Sequence, residues 1–240
     1  MDWAATLRRE AQRSAVLRSD DLARRHGLTE IVVGNALRRQ QRRGLVEHVS
    51  NRIYINKLAS DLSSRELVNL LRPEAYISLE SALAEWGVST QSPSSLTCVT
   101  TGFPRKFQTE SVRILYRRIT KRLYWGFTKR RTRYGEYRIA EPEKALLDWV
   151  YLRRREGLSV ILDEVSWSPI DKEKLLRYAN RYPKSVRESL LRALWQLNRG
   201  DTQDSSSSIA AELSVKTPRS GTLPDHSVRP KVSRRAKRAG

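Results

Sequence analysis

Residues 29–43 read TEIVVGNALRRQQRR. Val33, Ala36 and Leu37 recur at helical spacing and define an apolar stripe. Glu30, Ile31, Gly34, Asn35, Arg38, Arg39, Gln41 and Arg42 are left on the rest of the cylinder. Thr29 is a good N-cap, because its hydroxyl can accept an orphan backbone N–H, and Glu30 suits the positive end of the helix dipole. Gly44 is a stop signal. Upstream, Ser19-Asp20-Asp21 predicts the start of a short helix, Asp20 to His26, closed by Gly27. Before that, Trp3, Leu7, Ala11 and Ala15 predict a helix from Asp2 to about Leu17. Downstream, residues 45–49 (LVEHV) and 52–55 (RIYI) alternate around Ser50-Asn51, as in a β-hairpin.

Helix, short helix, glycine turn, basic helix and hairpin is the order of a winged helix-turn-helix. In that fold the second helix of the pair enters the major groove and the wing reaches flanking phosphates. Asn35, Arg38 and Gln41 are side chains able to contact base edges through two hydrogen bonds. Arg39, Arg42, Arg43 and wing residue Arg52 suit phosphate contacts. The same pattern also serves a solvated helix face or a protein-binding winged helix, so the charge distribution matters.

The chain has 240 residues, 46 Lys+Arg against 26 Asp+Glu, and a formal charge of +20. Residues 1–57 carry 12 basic against 6 acidic groups, and 102–138 carry 12 against 2. Two basic blocks within folding sequence point to a polyanion partner. Six Trp and nine Tyr exclude a wholly disordered chain. No apolar run approaches the roughly 18–20 residues that span a bilayer. One cysteine, Cys98, allows neither an internal disulfide nor a cysteine zinc site. The absence of a secretory pattern leads to the expectation of a cytoplasmic protein.

Beyond residue 57 the pattern predicts helices over Asp61–Leu71 and Leu79–Trp86, with Ser78 as N-cap and Gly87 as stop. Extended runs follow at Leu96–Thr100, Lys106–Gln108, Val112–Ile119, Leu123–Thr128 and Tyr137–Ile139. They predict a small, mostly antiparallel sheet with a basic face carrying Arg113, Arg117, Arg118, Lys129, Arg130, Arg131 and Arg133. Helices are expected from Pro142, Pro169 and Pro183. Residues 200–240 read as a disordered basic tail. No metal-ligand or cofactor pattern stands out. The one carboxylate set worth weighing as a magnesium-dependent nuclease site is Glu141, Glu143 and Asp148 beside Lys144. A helix start explains Glu141 and Glu143 as well, with Lys144 and Asp148 as an exposed i, i+4 pair.

Four blocks resemble AbiEi-family antitoxins. They are Tyr76–Leu83 (YISLESAL) followed by Gly87, Val99-Thr100-Thr101 leading to Arg105-Lys106-Phe107, Tyr116-Arg117-Arg118-Ile119 before Gly126, and Tyr137–Asp148 (YRIAEPEKALLD). The family places a winged helix-turn-helix before this domain. The resemblance implies an antitoxin of a type IV toxin–antitoxin system that represses its own operon and counters a nucleotidyltransferase-like toxin, not necessarily by binding it.

The expected architecture is therefore α+β. Residues 1–57 form a winged helix-turn-helix, 58–199 an AbiEi-like domain and 200–240 a tail. The expected partner is double-stranded DNA, met as a monomer or dimer, with no enzymatic activity, cofactor, metal or membrane. A solitary regulator and a nuclease are the alternatives.

Overall fold

The computed structural model describes residues 1–59, 63–162 and 165–200, with side chains through Trp195. The chain is α+β. The expected tail beyond Gly200 lies outside the described residues, as do Asp61 and Leu62 of the expected fourth helix.

The first unit comprises α1 (Trp3–Ala11), β1 (Val16–Arg18), α2 (Ser19–His26), α3 (Glu30–Arg42), β2 (Val46–Ser50) and β3 (Ile53–Asn56). The first helix is shorter than its apolar spacing predicts. The Ser14 hydroxyl closes on Val16, donating to its carbonyl (2.7 Å) and accepting from its N–H (3.0 Å), which turns the chain out of the helix. Val16–Arg18 becomes a strand antiparallel to β3, so the sheet has three strands in the order β1-β3-β2. Ser19-Asp20-Asp21 does not cap α2. Arg18 occupies the cap position without a side-chain bond, and its guanidinium holds the Asp20 carboxylate (2.9 Å), keeping that acid below its ordinary range.

This sheet is buried on both faces, which the alternating hairpin pattern did not suggest. Leu17, Val46 and Tyr54 join Leu7, Leu22, Val33 and Leu37 in a first core. Val16, Ile53 and Ile55 point the other way, into the core of the rest of the chain. Two polar contacts reinforce this junction: Lys57 Nζ to Glu110 Oε2 (2.8 Å), and Ser111 donating to Glu47 from its hydroxyl (2.5 Å) and backbone N–H (3.3 Å). Burial alone would raise the Glu47 carboxyl. Hydrogen bonds from Ser111 and Thr109 outweigh it and hold the group below its ordinary value of 4.5. A depressed acid stabilises the fold above its unfolded value and loses that contribution as pH falls through the folded one. Glu47→Gln is therefore expected to cost about 1 kcal/mol at pH 7. That difference should shrink as pH falls below 4.5 in denaturant titrations of both proteins, and a pH-independent difference would contradict the assignment.

The second unit contains α4 (Ser64–Leu71), β4 (Tyr76–Ile77), α5 (Leu79–Glu85), β5 (Leu96–Thr100), β6 (Arg105–Gln108), β7 (Arg113–Arg118), β8 (Phe127–Arg131), β9 (Glu136–Ala140), α6 (Pro142–Arg155), α7 (Lys172–Ala179) and α8 (Lys184–Gly200). Its six strands run β6-β7-β5-β4-β9-β8, a larger sheet than expected. It is also mixed, since β5 pairs parallel to β7 and β4 parallel to β9. The predicted strand Leu123–Thr128 is displaced. A 3₁₀ turn covers Lys121–Leu123, Gly126 takes φ +71°, and only then does β8 begin. The two edge strands carry Arg105 and Lys106 on β6 and Lys129 to Arg131 on β8, charges that discourage edge-to-edge pairing.

Helices cover both faces of this sheet. On one, Tyr116 donates to the Val68 carbonyl of α4 (2.9 Å). On the other, Thr97 exchanges hydrogen bonds with Ser81 of α5 (3.0 and 2.8 Å).

Candidate nucleic-acid interface

Thr29 caps α3 by accepting from Val32 N–H (3.4 Å), and the backbone of Arg43 closes its last turn. Val33, Ala36 and Leu37 are fully buried with Gln40, fixing the helix against α1, α2 and β2. Asn35, Arg38, Arg39, Gln41, Arg42 and Arg43 are all exposed. The second unit covers none of them, although it takes the opposite face of the adjoining sheet. At about 100° per residue, Ile31, Asn35, Arg38 and Arg42 form the centre of the outward face, with Arg39 and Gln41 on its flanks.

Two contacts order this surface. Arg38 Nη1 donates to Asn35 Oδ1 (3.0 Å), joining two of the expected base-reading side chains. Arg52, at the β2–β3 turn, pairs with Glu30 (3.1 Å) at the start of α3. That turn is made by Asn51 at φ +38°, a left-handed conformation that asparagine tolerates. Ile31 is 76% exposed, the residue that reading for polar base contacts passed over. Its signal was an aliphatic side chain one turn before Asn35 on the polar face.

The expected second basic patch is not one surface. Arg113, Arg117 and Arg118 lie on β7, whereas Lys129, Arg130 and Arg131 lie on β8, with β5, β4 and β9 between. Four strand spacings separate the groups, about 19 Å. Several of these cations also have local partners. Arg117 pairs with Glu156, and Lys129 with Glu136 (2.7 Å). Arg130 lies over Trp86 at 4.3 Å and Arg133 over Tyr134 at 5.4 Å. Arg118 stands 6.0 Å from the ring of Phe103.

No family model matches the chain, and no curated protein matches it either.

The Tyr137–Asp148 block leads to a different kind of site. Lys144 and Asp148, expected as an exposed pair, are both 0% accessible. Asp148 Oδ2 accepts from Tyr76 OH (2.9 Å) and Ser78 Oγ (2.9 Å), while Oδ1 accepts from Tyr182 OH (2.7 Å) and Lys144 Nζ. Lys144 Nζ also donates to Tyr76 OH (3.0 Å) and Tyr182 OH (2.8 Å). All three ammonium protons and both carboxylate oxygens are therefore used. Ser78 occupies the N-cap position of α5 as expected but makes no side-chain capping bond; its hydroxyl is committed to Asp148, and the next residue, Leu79, takes φ +59°. A β-carbon at Gly126 would stand 3.1 Å from Lys144 Cγ, so any other residue there would press on the lysine stem in addition to the strain of φ +71°.

Burial lowers the Lys144 pKa from its ordinary value, with Asp148 opposing the shift, and burial beside Asp148 pushes both tyrosines well above theirs. The remaining carboxylates are engaged as well. Glu143 accepts from Asp171 N–H (2.9 Å) and faces Lys174 (3.3 Å), and Glu141 accepts from Tyr178 OH (2.5 Å). Among the described residues, no group of three or more His, Cys, Asp or Glu is placed to hold a metal ion. Nor, among them, is any helix long and apolar enough to cross a membrane.

Proposed function

We propose that this chain is a DNA-binding antitoxin and autorepressor of a type IV toxin–antitoxin operon. Residues 1–57 act as a winged helix-turn-helix, and the second unit counters a nucleotidyltransferase-like toxin. The observation that carries the DNA-binding part is the uncovered outward face of α3, with Arg52 of the β2–β3 turn tied to the helix start. In this reading Asn35, Arg38 and Gln41 address bases in the major groove. Arg39, Arg42, Arg43 and Arg52 hold phosphates, and operator repeats are met by a dimer or by adjacent monomers. The antitoxin part rests on the four resembling blocks. The fourth coincides with the buried Lys144–Asp148 cluster, which gives that motif a structural task.

Gel-shift titrations of the full chain with the duplex upstream of its own gene, and with a scrambled duplex, test the DNA-binding part. Four phosphate contacts imply that log K falls with log salt at a slope of about −3.6. Preference for the upstream duplex across the salt series is the expected result. Equal affinity for both duplexes would leave only general polyanion binding. Co-expression with the product of a neighbouring nucleotidyltransferase-like gene tests the antitoxin part, and growth rescue unaffected by loss of the second unit would count against it.

The nuclease alternative draws no support from Glu143 and Asp148, whose oxygens face the chain's own donors. A solitary regulator would share the DNA-binding surface and differ only in lacking a toxin to oppose.

A further inference from the structure

Ile31 is an aliphatic side chain on an otherwise polar helix face. It is 76% exposed, follows the first residue of a capped thirteen-residue helix, and shares the outward face with Asn35 and Arg38. Its neighbour Val32 is 46% exposed, so the start of α3 presents an apolar spot bordered by polar and cationic groups. Burial does not explain it, because the helix docks through Val33, Ala36, Leu37 and Gln40.

The polar part of the stripe is equally particular. The Asn35 side-chain carbonyl already accepts from Arg38 (3.0 Å). An asparagine that reads adenine must accept from N6 and donate to N7 with the same amide. Here one of the two lone pairs of that oxygen is already taken by Arg38, so the pair offers more donors than acceptors: the Asn35 amide N–H groups and the rest of the Arg38 guanidinium. An edge that only accepts, the O6 and N7 of guanine, matches that set. The major-groove feature matching an aliphatic side chain is the C5-methyl of thymine.

Resting on the DNA-reading assignment above, we infer that α3 selects sites in which a thymine met by Ile31 is followed by a guanine met by the Arg38–Asn35 pair. Ile31 and Arg38 are seven residues apart, about 10 Å along the helix axis. At roughly 3.4 Å per base pair this places the two bases two to four pairs apart.

The test begins with selection from a randomised 20-base-pair duplex library by the full chain. A thymine and a guanine at that spacing should be enriched. In the selected duplex, deoxyuridine in place of that thymine removes one methyl group and should weaken binding about fourfold. Ile31→Ala should bind the thymine and deoxyuridine duplexes alike. Replacing the guanine with 7-deazaguanine should also weaken the wild type, and Arg38→Ala should lose that sensitivity. Ile31 and Arg38 are exposed, so circular dichroism should show both variants folded. Enrichment of a site indifferent to the methyl, or a methyl effect that persists in Ile31→Ala, overturns this inference and leaves sequence-specific DNA reading intact. Failure to enrich any sequence overturns both.

Discussion

Asp148→Ala is expected to destabilise the protein by about 3–5 kcal/mol, the usual penalty for removing one partner of a buried ion pair. The variant leaves the Lys144 ammonium without its counter-ion, and the hydroxyls of Tyr76, Ser78 and Tyr182 lose their acceptor. Against a typical total stability of about 5–15 kcal/mol, this is a large fraction of what holds the fold. Urea titration should show the loss as a lower midpoint at unchanged slope. Lys144→Met combined with Asp148→Leu should be less damaging than Asp148→Ala, because no buried charge remains. A pH series gives a second check. Lys144 already lies below its ordinary value of 10.5, and without Asp148 the main opposition to the desolvation that put it there is gone. In that window the unfolded chain binds more protons, so the stability of Asp148→Ala should rise with pH toward 10.5. A loss below about 1 kcal/mol, or the opposite pH trend, would show that the cluster does not hold the second unit together.

On the DNA side, Arg38→Ala should weaken binding to a selected duplex by roughly 1–3 kcal/mol and relax discrimination at one base pair. Arg39→Ala should behave differently, weakening all duplexes to a similar degree and lowering the salt slope by about 1. Arg38 stands at the centre of the outward face and is oriented by Asn35 (3.0 Å), a combination that Arg39 on the flank does not share. Competition binding with matched and single-mismatch duplexes at two salt concentrations separates the outcomes. If both substitutions reduce affinity uniformly and leave mismatch penalties unchanged, Arg38 is a phosphate contact and the base-reading role fails.

The parts of this structure written in local periodicity were legible in the sequence. The apolar stripe of α3 could be read because Val33, Ala36 and Leu37 recur with the helical repeat, and the hairpin because a turn signal separates two extended runs. Features that depend on distant chain crossings were not. A lysine four residues before an aspartate looks the same on a wet face as in a core, and Lys144–Asp148 is buried because Tyr76, Ser78 and Tyr182 converge on it from up to 72 residues away. The β7 and β8 basic runs are neighbours in sequence, but β4, β5 and β9 are inserted between them, which divides the expected patch. Ile53 and Ile55 were legible as one side of a strand; what they pack against was not.

The small sheet with two covered faces has a mechanical corollary. Val16, Ile53 and Ile55 root the three-stranded ribbon in the larger body, so the basic helix is carried on a stiff bracket rather than a tether. If the proposed DNA reading holds, seating that helix in a duplex would fix the azimuth of everything attached to it, and two copies on neighbouring repeats would hold their bulky halves at a spacing dictated by the pitch of the DNA.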